Sequence, residues 1–464
     1  MHSFGPAYAQ WGRDCGSDIL HATVFGKSVI VINSIEIATD LLERRSLIYS
    51  SRPSSIMVGD LMGWHWHLAL LPYGKIFRAY RRLFHREFNP RAVMRFRPLQ
   101  LKATRDMLQG LADSPDEFFD HLVHMSGKTI MGITYGIDVK SHDDPYIAAA
   151  ERADASLFAA GRPGAFYVDF LPFLRYLPEW MPGAGFKTKA KEWRNHADAI
   201  FNLPYEAAKQ DYLNGTSRVS FISQCLEALD KNVKDFDEFV VKGTAASMYN
   251  AAVDTTASVV KMFVLAMIRN PDVQEKAQKE LDEVVGRGSL PDFDHESSLP
   301  YVSAVVKEVF RWQPVTPIPF PHMVTAEDAY NGYRIPANSL VIPNIWAMLH
   351  NESVYPNPSS FIPERFLDSD GHLDPTVPDP SLASFGFGRR ICPGRYLGWS
   401  SVWISIASIL ATFNIEKAVD TEGSPIEPSS ECKPGIVASP LPFPASIKPR
   451  SAVALSAIQA AAHK

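Results

Sequence analysis

Phe385-Gly386-Phe387-Gly388-Arg389-Arg390-Ile391-Cys392-Pro393-Gly394 sets one cysteine in a loop between glycines, with arginines before it. Beyond the loop, Tyr396–Ile415 carries no charged residue. Glycine takes positive φ and lets backbone come close to a flat ligand. A helix starting after Cys392 turns its free N–H groups toward the sulfur and favours the thiolate. Arg390 offers a permanent cation to an anionic group nearby. Three roles remain open for Cys392 on these grounds. A buried inert thiol is the usual fate of a free cysteine. A nucleophile at a helix N-terminus needs a positioned His with Asn or Asp. A thiolate ligand pushes electron density onto iron and favours O–O cleavage.

The chain around this loop has 464 residues, 46% hydrophobic and 21% charged, an ordinary globular balance. Its length alone suggests about three domains of roughly 150 residues. No linker-like stretch divides it, so residues 1–464 are read as one domain. The four cysteines (15, 225, 392 and 432) are far apart and form no CxxC pair. Such sparse use fits a reducing compartment and excludes a disulfide framework or zinc ribbon. Cys15, Cys225 and Cys432 are read as inert. The net charge of -5 leaves no basic field for nucleic acid. Met1–Leu20 carries Arg13, Asp14 and Asp18 and no apolar run, so no signal peptide or membrane anchor is expected in it. Tyr396–Ile415 is long enough to span a bilayer. Its four serines, one Thr and one Asn, and its place after the cysteine loop, predict a buried core helix instead.

Local patterns predict a mainly α protein: a large helical body with a small β-rich portion. Gly26–Ile32 reads as a strand, and Asn33 with Glu36 as a capping box for a helix through Leu42. Helical periodicity dominates from about residue 73, including a long stretch from Phe236 to Ile268. Asn270-Pro271-Asp272 opens a helix ending near Gly286; Pro300 opens the next and Pro314 closes it. Pro314–Pro321 must be extended. Gly332–Pro336 and Ser339–Pro343 are strand-like, and the Ala- and Ser-rich tail at 450–464 is expected to be loosely ordered.

Several motifs accompany the cysteine loop. Glu308 and Arg311 share one helix face in Glu308-Val309-Phe310-Arg311, a pairing common on solvated helices. Asp254-Thr255-Thr256 lies mid-helix, where Asp and Thr compete for backbone bonds. Tyr73–Arg82 is a basic helix, and His65 and His67 alternate as a weak metal pair. The decapeptide resembles the haem-binding signature of the cytochrome P450 family: Phe385, spaced glycines, Arg390 two before Cys392 and Gly394 two after it. The other motifs follow in the family's order, and the resemblance runs from about residue 23 to 449. Wording around Tyr49–Pro53, Pro172–Phe186 and Pro363–Leu367 is similar to the fungal microsomal group, that of O-methylsterigmatocystin oxidoreductase.

That resemblance implies the cytochrome P450 fold, haem b, and Cys392 as axial iron ligand. It implies further haem contacts from Phe385, Arg390 and Gly394, with propionates held by Arg81 and His322. It assigns Thr255 the hydroxyl that delivers protons to iron-bound oxygen and Asp254 the relay to solvent. Glu308, Arg311 and Arg365 form a structural cluster, and Val315, Thr316 and Ile318 wall the substrate pocket beside Tyr249, Asn250 and the loop holding His65 and His67. Two positions depart from the family pattern. Ala252 stands where a groove-opening Gly is usual, and Phe77 replaces a Trp that would hydrogen-bond a propionate.

The implied activity is insertion of one oxygen atom of O2 into a small apolar organic substrate, in fungal secondary metabolism or xenobiotic oxidation. Electrons would come from NADPH through a cytochrome reductase docked on Arg78, Arg82 and Arg86. The alternatives are a haem-thiolate isomerase or dehydratase and a non-catalytic haem-binding paralogue. The resemblance also implies the cytosolic face of the endoplasmic reticulum membrane, with Phe166–Phe186 as a peripheral contact.

Overall fold

The computed structural model describes residues 4–140, 143–162, 164–231, 236–433 and 435–462. Helices carry most of them. The first is α1 (Phe4–Cys15), followed after a hairpin by α2 (Lys75–Phe88), α3 (Arg97–Asp113), α4 (Phe118–Tyr135), α5 (Pro145–Ala160) and α6 (Gly185–Leu213). Next come α7 (Phe221–Asp230), α8 (Glu238–Arg269), α9 (Pro271–Val284) and α10 (Pro300–Trp312). The cysteine loop leads into α11 (Arg395–Thr412), and α12 (Ala452–Ala462) follows the last strand.

α8 is the axis of the helical body, packing against α2, α4, α6, α7, α9, α10 and α11. Apolar residues lie all round it, which suits a helix buried on every side. It alone among the described residues is long and apolar enough to cross a membrane, yet it is mostly buried inside the fold. α11 is similar: Ser401–Thr412 are all buried, as the run after the cysteine loop predicts for a core helix.

The β-rich portion stands to one side. β1 (Ile19–Val24) and β2 (Lys27–Ile32) form a hairpin. β3 (His322–Met323), β4 (Asp328–Tyr330), β5 (Tyr333–Ile335) and β6 (Leu340–Pro343) follow α10. The main sheet has the order β1-β2-β6-β3, with β2 parallel to β6 and Ile30 opposite Val341. β7 (Phe413–Lys417) and β8 (Ala445–Pro449) form a separate antiparallel pair beyond α11.

Three local expectations change. The cap after β2 is Ser34, whose hydroxyl accepts from Ile37 N at 3.3 Å. Asn33 instead ties Tyr8 to Asn344 through its amide. The helix it opens runs Ile35–Ala38 and widens into a π turn through Arg44. Asn270 sits at the cap position of α9, but its amide turns back to Ala266 O at 2.8 Å. The tail is ordered: Ser451 Oγ accepts from Ala454 N at 3.1 Å, and Ala454 and Ile458, four apart on α12, bury their side chains. The i, i+4 pair gives α12 an apolar stripe, which docks on α3 and α11.

Candidate active site

The cysteine loop is built against protein, not only toward a ligand. Gly386 and Gly388 hold φ of +73° and +55°. A Cβ on Gly388 would lie 2.0 Å from the Leu42 carbonyl, so the π turn at 39–44 leaves no room for a side chain. Cys392 N donates to Phe385 O at 2.7 Å, closing the loop, and the Phe385 ring meets Phe310 at 5.4 Å. Burial pushes the Cys392 thiol above its ordinary value. The Gly394 N–H, Arg81 and Arg395 act in the opposite sense, as groups that stabilise the thiolate. Arg81, from α2, donates to Ile391 O at 2.7 Å.

Beside this loop lies a group of basic side chains, Arg52 and His322 buried, Arg81 and Arg390 half-buried. Arg390 donates to the carbonyls of Ser50, Leu68 and Leu71, at 2.6, 3.2 and 2.6 Å. Arg52 donates to Ala69 O at 3.0 Å and Phe320 O at 2.6 Å. His322 bonds Tyr49 O through Nδ1 at 2.8 Å. Burial lowers Arg390 to about 8, with Arg52 and Arg81 adding to the shift, and lowers Arg52 to about 9. Burial and the charges of Arg52 and Arg390 keep His322 neutral. Among the described residues no carboxylate stands within ion-pair reach of Arg52, Arg81 or Arg390. Cations held by carbonyls, with no carboxylate partner, suit an anionic ligand.

Arg52 was not among the site residues expected from sequence; only its place in Ser50-Ser51-Arg52-Pro53 could have marked it. Phe77 has a different task from the Trp it replaces. The Arg390 guanidinium sits 3.9 Å from the Phe77 ring centroid, a cation–π contact that aims the arginine.

On α8, Ala251 is exposed although its neighbours Tyr249, Asn250 and Val253 are buried. Thr255 Oγ1 donates to Ala251 O at 2.7 Å, the local bond that lets a threonine sit mid-helix. Its oxygen lone pairs stay free to accept. Ala252, Asp254 and Thr255 are half-buried.

Glu308 and Arg311 are fully buried, and the structure brings Arg365 to them. Arg311 makes a bidentate pair with Glu308 at 2.7 and 2.8 Å and donates to the carbonyls of Leu349, Pro358 and Ser360. Arg365 approaches Glu308 at 3.3 Å, and Ile362 N donates to the same carboxylate. The cluster therefore staples α10 to the irregular 349–365 segment.

Val315, Thr316 and Ile318 lie half-buried in the extended segment after α10. Val315 O accepts from Ala438 N at 2.7 Å, whereas Ile318 packs on Leu20, Val31 and Ile342 of the sheet. His65 is exposed and His67 buried, and the described residues contain no group of three metal-ligating side chains. On α2, Arg78 and Arg82 are exposed, while Arg86 is engaged with Glu87 and Cys225.

A cysteine loop at a helix N-terminus, flanked by arginines with no carboxylate in ion-pair reach among the described residues, in a fold whose central helix carries Asp254-Thr255, points to the haem-thiolate class. Residues 9–445 match the cytochrome P450 family, and this chain belongs to it. Cytochrome P450 monooxygenase 98 of Postia placenta is 46% identical over 451 residues, covering 96% of this chain and 86% of that protein. Tryptamine 4-monooxygenase of Psilocybe cyanescens is 44% identical, over 97% of this chain and 89% of its own length. A solved zebrafish cytochrome P450 structure with abiraterone superposes with a TM-score of 0.74 at 21% identity, covering 96% of this chain and 100% of that one. The fold is thus the cytochrome P450 fold. The chain is a haem-thiolate monooxygenase that uses haem iron, O2, an organic substrate and electrons from a redox partner reductase.

Proposed function

We propose that Cys392 is the axial ligand of the haem iron and that Arg52, Arg81, Arg390 and His322 hold the haem propionates. The observation carrying this is the set of carbonyl-tethered arginines beside the cysteine loop, with no carboxylate among the described residues to neutralise them. Phe385 and Gly394 shape the loop around the sulfur, and Phe77 orients Arg390. Bound haem supplies the iron at which O2 is reduced and one oxygen atom transferred to substrate.

The chain's own residues supply protons and shape. Thr255 Oγ1 releases its bond to Ala251 O to pass its proton on and takes a replacement proton from the solvent side, with Asp254 carrying protons inward. Glu308, Arg311 and Arg365 keep the loop segment rigid without touching the reaction. Val315 and Thr316 line the substrate side with Tyr249 and Asn250, and Ile318 props that segment on the sheet. Such a lining suits a small apolar or amphipathic molecule of fungal secondary metabolism or xenobiotic oxidation. An aromatic amine of the kind named for the Psilocybe relative falls in that class.

Electrons come from an NADPH-dependent cytochrome reductase docked on the exposed cations Arg78 and Arg82. Tyr167, Phe173, Tyr176 and Trp180 are strongly exposed, and Phe25 of the β1–β2 turn stacks on nearby Phe170 at 4.6 Å. This aromatic surface fits the endoplasmic reticulum membrane on its cytosolic side. The test of the site is the absorption spectrum of the reduced, CO-bound protein. The red-shifted thiolate band is expected in the unsubstituted enzyme and absent from Cys392→Ser; a normal band in that variant would assign the iron to another ligand.

A further inference from the structure

A polar knot forms where three segments meet beside α8. Asp154 of α5, Asn250 of α8 and His67 of the loop before α2 are 5%, 6% and 5% exposed. Asn250 Nδ2 donates to Asp154 Oδ1 at 2.5 Å. The His67 imidazole lies against the Asn250 side chain, and its Nε2 is buried with no partner among the described residues. The hydroxyls of Tyr249 and Tyr135 are buried and unpartnered nearby.

Among the described residues no positive charge is paired with this knot. The charges that reach Asp154 are carboxylates, Asp254 on α8 and Glu151 on α5, and with burial they push its carboxyl well above the usual value. His67 supplies no cation, because burial lowers it to about 4. Lys261, two turns beyond Asp254, stacks on Phe119 at 4.9 Å. An acid buried with one amide donor is unfavourable to ionise alone, and a cation brought by a ligand removes that penalty.

We infer that Asp154, held by Asn250, anchors the ammonium group of the substrate, and that this enzyme acts on small primary amines with an apolar body. This rests on the monooxygenase site described above. Asn250 precedes Thr255 by about 7.5 Å along the helix axis, at 1.5 Å per residue. An amine seated at Asp154 therefore lies about one and a half helical turns along α8 from Thr255. The tyrosine hydroxyls offer lone pairs for the further hydrogen bonds an ammonium group or aromatic N–H requires, whereas His67, whose Nδ1 accepts from Ala69 N, presents Nε2 as an N–H donor.

Calorimetric titration of the haem-loaded enzyme with arylalkylamines of one- to four-carbon chains, 2-phenylethylamine among them, and with the matching alcohols tests this. At least one amine is expected to bind about thirtyfold tighter than its alcohol. Asp154→Asn should abolish that preference and Asp154→Glu retain most of it. Amines binding no tighter than their alcohols, or a preference surviving in Asp154→Asn (as direct ligation of iron by nitrogen would give), overturns the inference. The CO-bound spectrum, recorded on the same samples, separates failure of the haem site from failure of the amine site.

Discussion

Arg52 and Thr255 carry different kinds of burden. Arg52 is a cation with two carbonyl partners and no anion, so its contribution appears when haem is bound. Arg52→Leu should weaken haem retention by about 1.5–3 kcal/mol, the worth of a hydrogen bond to a charged group. Haem transfer to apomyoglobin measures it, and an unchanged transfer rate would remove Arg52 from the propionate set. Thr255 acts in turnover. Its hydroxyl already bonds Ala251 O, so Thr255→Ala should leave the fold intact. Product formed per NADPH should fall about a hundredfold while NADPH consumption continues. Tightly coupled turnover in this variant would leave proton delivery to another group.

Among the elements, α10 and the segment after it depend on one carboxylate. Glu308 accepts from Arg311, Arg365 and Ile362 N. Glu308→Ala strands two buried guanidinium groups and should destabilise the fold by about 3–5 kcal/mol, read from urea unfolding. Much of this level was legible in the sequence. Pro271 and Pro300 mark helix starts because proline's missing N–H is no loss in a first turn. Glu308 with Arg311 was visible by spacing, but their burial was not; only the carbonyls of residues 349–360, brought in by the fold, distinguish them from a solvated pair. Arg52 escaped because nothing local separates a buried, carbonyl-held arginine from a surface one. α12 escaped because an Ala- and Ser-rich run is weakly patterned, and its docking face is supplied by α3 and α11. The Asp154–Asn250 contact joins helices 96 residues apart, beyond any local pattern.

For the whole molecule, buried neutral histidines add to the response to acid. Burial lowers both His67 and His350 to about 4, from an ordinary 6.5. Their pKa is lower folded than unfolded, so the unfolded chain binds more protons between pH 6.5 and 4. Stability from these groups is complete above pH 6.5 and declines as pH falls toward 4, by up to about 1.4 kcal/mol per pH unit for each. Urea midpoints from pH 7 to 4.5 should follow that slope, and His350→Gln should flatten it; an unchanged slope would place the acid sensitivity elsewhere. Gly388 has a consequence of another kind. Its backbone N–H reaches toward Glu43, 345 residues earlier, and its Cα nests on Leu42. The cysteine loop thus takes its shape from a segment far earlier in the chain and closes only once that segment and the loop have both been made. Order in this loop is therefore a late event in folding, because the contact that fixes it spans so much of the chain.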